Sequence, residues 1–244
     1  MKAVTIAVVH PLLSIAQGDE GNARVLRHRA ALRGILAIIV TTHGDLPLPA
    51  ADIYLLGGLA SPDQPALVDA IRRGGMLSEA VADGAAILAV DAGFEVLGES
   101  FQDTDGITRP GLGLLDIRGT RSTLAEGPVI TSPNDVLGLP AMSGYESHTG
   151  RIERGPGVAA LAGLELGIGN GDEPRVDGVV GGRVIGTYLH GPVLSRNPEL
   201  ADLLLGWAIG SKLPAAHSGY ASVVRAQRIA EDRLDRTGWA GAKH

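Results

Sequence analysis

Ala85-Ala86-Ile87-Leu88-Ala89-Val90-Asp91-Ala92-Gly93-Phe94-Glu95 is a short apolar run that stops at one acid and reopens on two small residues. An apolar run of this length, bounded by turn signals, reads as a strand buried on both faces. A helix signal follows at once, from Gly93 to Leu97. Small flanking residues let strand and helix pack closely, so the middle side chain, Asp91, is thrust outward. That is the small-x-nucleophile-x-Gly pattern of a nucleophile elbow. The positive end of the helix would favour an anion there. The same residues also fit an ordinary aspartate N-cap, and the local sequence leaves both readings open.

The chain around this segment alternates strand and helix signals. Val4 to Val9, Ile35 to Val40 and Ile53 to Leu56 are further short apolar runs, the last closed by Gly57-Gly58. Between them, Asn22 to Arg33 has helical spacing and ends at Gly34, and Leu67 to Val81 holds one or two helices interrupted at Gly74-Gly75. Strands separated by helices imply parallel pairing through right-handed crossovers, hence an α/β fold. Ligands in such sheets sit beyond the carboxyl ends of the strands, which here carry His10, Gly57-Gly58 and Asp91. The second half differs. From Gly111 to Ser147, strand-like pieces such as Leu112 to Leu115 and Val129-Ile130 alternate with loops. Val176 to Val180 and Val184 to Leu189 read as a hairpin around Gly181-Gly182. Asn197-Pro198 opens a helix reaching about Ile209, with Asn as cap and Pro at the first position. Residues 1–212 are expected to form one domain, and residues 213–244 a helical tail carrying the amphipathic stretch Ala221 to Leu234.

Bulk composition narrows the chemistry. Apolar residues make up 45% of the chain and aromatics only 3%, with 35 glycines, as a Val, Ile, Leu and Ala core with many tight turns requires. There is no cysteine, which excludes disulfides, thiolate metal sites and every cysteine-nucleophile mechanism. A net charge of −6 argues against a nucleic-acid partner. No apolar run approaches membrane-spanning length, and Met1 to Ile6 leads into a strand pattern without the layout of a signal peptide. A cytoplasmic location is expected.

Three further segments could carry chemistry. Thr187-Tyr188-Leu189-His190-Gly191-Pro192 ends a strand in a histidine, a position suited to a general base, although a lone histidine there is more often structural. An elbow and a strand-end histidine about a hundred residues apart together follow the logic of a Cys-His hydrolase. Gly18-Asp19-Glu20-Gly21-Asn22 is a glycine-rich acidic loop opening a helix, either a ligand loop or a turn plus cap. Gly144-Tyr145-Glu146-Ser147-His148 is a polar cluster whose spacing shows no mechanism.

These segments, in this order, resemble the GatD family of class I glutamine amidotransferases, the CobB/CobQ-like group. The matching stretches are Gly18-Asp19-x-Gly21-Asn22, Leu55-Leu56-Gly57-Gly58, Ile87 to Gly98, Gly111 to Asp116, Gly144-Tyr145-Glu146-x-His148 and Thr187 to Pro198. They span nearly the whole chain, and the last is the most specific. The resemblance implies a flavodoxin-like class I amidotransferase fold, a mostly parallel sheet flanked by helices. It implies a glutaminase subunit that passes ammonia from glutamine to a MurT-like Mur ligase subunit, which amidates the peptidoglycan precursor lipid II as the other half of a heterodimer. It implies no metal and no cofactor. In the family's mechanism a cysteine attacks the glutamine amide and a histidine, matching His190, relays the proton. Backbone amides of Gly57, Gly58 and Ala92 would form the oxyanion hole, and Arg121 is the nearest candidate for the arginine that binds glutamine.

Two departures stand out. Asp91 occupies the nucleophile position, and Glu95 stands where the family has glutamine. A carboxylate attacking an amide would form an anhydride and expel ammonia, far less readily than a thiolate forms a thioester. Turnover of glutamine is therefore expected to be absent or very low. Three functions follow: a degenerate amidotransferase subunit kept for its partner, a repurposed hydrolase with Asp91 as nucleophile and His190 activating water, or an engineered inactive variant. A metal held by Asp91, Glu95 and His190 has ligands of the right type, but no spacing demands it. No acid lies two residues after His190 to orient it.

Overall fold

The computed structural model describes residues 3–9, 19–42, 47–57, 63–75, 77–190, 192–214 and 219–240. Its centre is a parallel sheet of β1 (Val4–Val8), β2 (Ala37–Thr41), β3 (Ile53–Leu56), β4 (Ala86–Val90) and β11 (Val184–Thr187), in the order β2-β1-β3-β4-β11. Successive side chains on a strand point to opposite faces. In β4, Ala86, Leu88 and Val90 enter one core cluster while Ile87 and Ala89 enter the other. Both faces are covered, so no polar residue interrupts the strand. On the first face lie α1 (Asp19–Ala31) and α6 (Pro198–Ile209). They are tied by Arg29, which grips Asp202 through Nε and Nη2 at 2.5 and 2.6 Å, and by Arg33 at 2.7 Å from the same carboxylate. The second face is covered by α2 (Gln64–Gly74) and α3 (Leu77–Ala82), with the one-turn helix α4 (Ala92–Glu95) after β4. Gly75, at φ 64°, follows the end of α2 at Gly74, so the interruption expected at Gly74-Gly75 is present and divides two helices.

Beyond β11 the sheet turns antiparallel through β10 (Val176–Gly181), β9 (Ala159–Leu166), β7 (Ile117–Thr131) and β8 (Ser143–Arg154). The β10–β11 hairpin is as expected. The short pieces expected between Gly111 and Ser147 are instead long ribbons: β7 has 15 residues and the antiparallel β8 has 12. Their inward positions include Glu146 and His148, both buried, so apolar alternation does not mark them. Leu112 to Leu115 is not a strand; its amides bond back to Val96, Gly98 and Leu97. The expected helix Gly93 to Leu97 is confined to Ala92–Glu95. Asn197 precedes α6 as expected but does not cap it. Its Oδ1 accepts from Ser143 N and its Nδ2 donates to the carbonyls of Ser143 and Val193, so it joins β8 to α5 (Val193–Arg196).

The amphipathic stretch forms part of α7 (Gly219–Ala240), which packs on α5 and β8 and buries Ile229 and Arg225. Arg225 forks onto Glu199 of α6. Among the described residues no helix is long and apolar enough to cross a membrane.

Gly186 in β11 faces Phe94, and a Cβ there would lie 2.0 Å from the ring. Gly186→Ala is expected to destabilise the protein by about 2 kcal/mol or more through overpacking, read as a lower urea midpoint at unchanged slope.

Candidate active site

Asp91 is the only non-glycine residue with positive φ among the described residues, at φ 53°, ψ −123°. An L-residue in such a region costs on the order of 1–3 kcal/mol and persists only where its surroundings enforce it. Here the constraints are visible. The amide of Asp91 donates to Thr187 O on β11 at 3.0 Å, and its carbonyl accepts from Phe94 N and Glu95 N at 2.8 and 3.1 Å. Gly93 lies against β3, where a Cβ would come within 2.6 Å of Gly57 O and 2.7 Å of Leu56 O. The chain can turn this tightly only with no side chain at Gly93. The Asp91 side chain makes no capping bond to α4, so the N-cap alternative does not describe this aspartate; the geometry is an elbow.

His190 follows β11 on a turn held from three sides. Its amide donates to Tyr145 O of β8 at 2.7 Å. Asn22 of α1 accepts from Leu194 N at 3.1 Å, and Gly21 leaves just enough room for Pro192, whose Cγ would be 2.8 Å from a Cβ at that glycine. The Gly21 and Asn22 end of the acidic segment thus supports the histidine turn; Gly18, like His10, Gly58 and Gly191, lies outside the described residues. Nε2 of His190 stands 3.7 Å from Asp91 Oδ1, too far for a hydrogen bond, and has no other partner among the described residues although it is buried.

Glu95 is the last residue of α4. Its carboxylate is buried, accepts from Gln64 Nε2 at 2.8 Å and Tyr188 Oη at 3.2 Å, and lies 3.5 Å from Arg121 Nη2. Arg121 also donates to Gln64 Oε1 at 2.7 Å and Thr149 Oγ1 at 3.2 Å. Burial raises the Glu95 pKa above its ordinary value, against the pull of Arg121 and Gln64. Arg121 therefore supplies a counter-charge to Glu95. Among the described residues no group of three or more His, Asp or Glu side chains is placed to hold a metal ion.

Behind the site sits a second buried layer. His148 stacks on Tyr188 with centroids 3.6 Å apart and planes 4° from parallel. Its Nε2 is 3.4 Å from Glu146, which also accepts the amides of Ile168 and Gly169 at 2.7 and 2.8 Å. Burial works to raise the Glu146 pKa, but these bonds, His148 first, hold it below its ordinary value. Asp177 of β10 accepts from Thr187 Oγ1 and Tyr188 N, and Thr187 Oγ1 in turn accepts from Leu189 N. This fixes the end of β11 just before His190. Gln64, Thr149 and Asp177 are missing from the sequence reading. Gln64 had one faint signal, a polar residue directly before Pro65 at a helix start.

A family model of the CobB/CobQ-like glutamine amidotransferase domain matches residues 5–198. This chain belongs to that family. It is 31% identical over 225 residues to the lipid II isoglutaminyl synthase (glutamine-hydrolyzing) subunit GatD of Staphylococcus aureus (strain N315), covering 89% of this chain and 90% of that protein. The GatD subunit of Streptococcus pneumoniae is 28% identical over 243 residues, with 95% and 91% covered. Among solved structures, the glutaminase domain of Trypanosoma brucei CTPS with bound acivicin superposes with a TM-score of 0.53 at 12% identity, over 90% of this chain and 99% of that one, which supports the class I amidotransferase fold. Within this CobB/CobQ-like domain the elbow carries an aspartate, and the chain has no cysteine.

Two measurements follow. Asp91→Gly relieves the backbone strain and should stabilise the protein by about 1 kcal/mol in urea unfolding, once the extra flexibility of glycine is discounted; destabilisation would mean that the elbow is not strained. Burial raises the Asp177 pKa to about 6, from an ordinary 3.8. Between these values the folded chain binds more protons than the unfolded one, so this group's contribution to stability falls as pH rises from about 4 through 6, by up to about 3 kcal/mol. Asp177→Asn should remove that part of the slope.

Proposed function

We propose that this chain is a GatD-like amidotransferase subunit, partnered by a MurT-like ligase acting on lipid II, whose glutaminase step is disabled at Asp91. The observation that carries this reading is the elbow, with an aspartate held at φ 53° and 3.7 Å from His190 in a chain without cysteine. Similarity along the full length of GatD subunits, rather than to a fragment, supports a subunit role. In this reading the amides of Gly57 and Ala92 are the remnant oxyanion hole, and His190 is the remnant proton relay. The chain keeps the surface that addresses the ligase and contributes structure or regulation instead of ammonia. Asp91 is a weak nucleophile towards an amide, because the tetrahedral adduct must expel ammonia rather than the carboxylate, and the anhydride so formed is less stable than a thioester.

Arg121 refines the expectation. Its charge faces Glu95 at 3.5 Å, so restoring the thiol alone leaves a carboxylate beside the cation that would hold the carboxylate of glutamine. Asp91→Cys should therefore show little glutamine hydrolysis, with or without the ligase subunit. Asp91→Cys combined with Glu95→Gln should exceed it by about tenfold or more, the worth of one charge-assisted contact. Both variants silent, with the ligase bound, would mean the pocket has lost more than these two positions. Failure of the chain to co-purify with a MurT-like ligase would remove the subunit role.

A further inference from the structure

Between α5, the start of β8 and α7 lies a cavity of about 210 Å³, lined by Ser143, Arg196, Tyr220, Val224, Arg225 and Arg228 among others. Arg225 is committed to Glu199. Arg196 and Arg228 have no ion-pair or hydrogen-bond partner among the described residues. Ser143 is 1% exposed, and its hydroxyl has no partner although Asn197 fixes its backbone at both ends, through bonds of 3.0 Å to Ser143 N and O. A buried hydroxyl without a partner costs about 1–3 kcal/mol, and two arginines with no counter-charge among the described residues line the same cavity. One occupant answers both. We infer that this cavity is a binding site for a small phosphate monoester with an apolar group.

The donors come from three elements, β8, α5 and α7. That suits the three oxygens of a tetrahedral anion better than the planar pair of a carboxylate, which a single arginine fork would satisfy. Val224, Ala221 and Tyr220 provide an apolar wall for the remainder of the ligand. The site is distinct from the elbow, yet α5 begins three residues after His190. An anion bridging Arg196 and Arg228 would fasten α7 to the turn that carries the histidine.

Calorimetric titration of the full chain with phenyl phosphate at constant ionic strength tests this, with inorganic phosphate and benzoate as companion probes. One-to-one saturable binding is expected, tighter for phenyl phosphate than for either companion. Arg196→Gln and Arg228→Gln should each weaken it about tenfold, as should Ser143→Ala. Arg228 is exposed and unpaired, so Arg228→Gln should leave the melting temperature in chloride unchanged and report on binding alone. No saturation with phenyl phosphate, or equal affinity in Arg196→Gln/Arg228→Gln, would overturn the site. Benzoate binding as tightly as phenyl phosphate would overturn the phosphate assignment, and inorganic phosphate doing so would overturn the apolar part of the ligand.

Discussion

Between Val90 and Gly93 the chain passes from strand to helix with no room for a side chain at Gly93, because the carbonyls of Leu56 and Gly57 stand where a Cβ would be. That close approach of β3 and α4 forces Asp91 into a left-handed backbone region, with its buried carboxylate 3.7 Å from His190. The parallel sheet then matters chiefly as a frame. Asp91 N is bonded to Thr187 O on the neighbouring strand, so the elbow and the histidine turn are registered to each other through the sheet. Residues 99 positions apart in the chain meet at 3.7 Å because two adjacent strands end together.

Behind that pair the protein has solved a charge problem. A buried acid at Glu95 would be costly alone. Gln64, Tyr188 and Arg121 surround it, and Arg121 is thereby occupied. The two departures from the family pattern are thus physically unlike. In the proposed function Asp91 would change what the site can attack, whereas Glu95 would change which charge is available to hold a substrate. The second layer, His148 on Tyr188 and Asp177 on Thr187, is fully buried and stiffens the strand end bearing His190.

The parallel half of the fold was legible because strands buried on both faces read as unbroken apolar runs, and Ala85 to Val90 with Val4 to Val9 are of that kind. The ribbons β7 and β8 were not, since the inward side of Ser143–Arg154 carries Glu146 and His148, which are satisfied by one another and by backbone amides. Asp91 and His190 could be named from strand ends. Gln64 and Asp177 could not, because their roles come from contacts made across long stretches of chain, and nothing near them in sequence announces a partner. Arg121 could be named as the candidate for binding glutamine; its engagement with Glu95 is a tertiary fact that spacing does not contain. The Asn197 cap was misassigned for a related reason: the side chain bonds to β8, distant in sequence, in preference to its own helix.

The central claim is that the elbow side chain and His190 share one cleft in a geometry built for an ion pair. The alkylation rate of the thiol introduced by Asp91→Cys, followed against pH, measures this without needing a substrate. A thiolate held beside an imidazolium should stay reactive down to about pH 6 or below, and His190→Ala should return the profile to that of an ordinary thiol near about 8.5. A profile already ordinary with His190 present, and unmoved by its removal, would contradict the account.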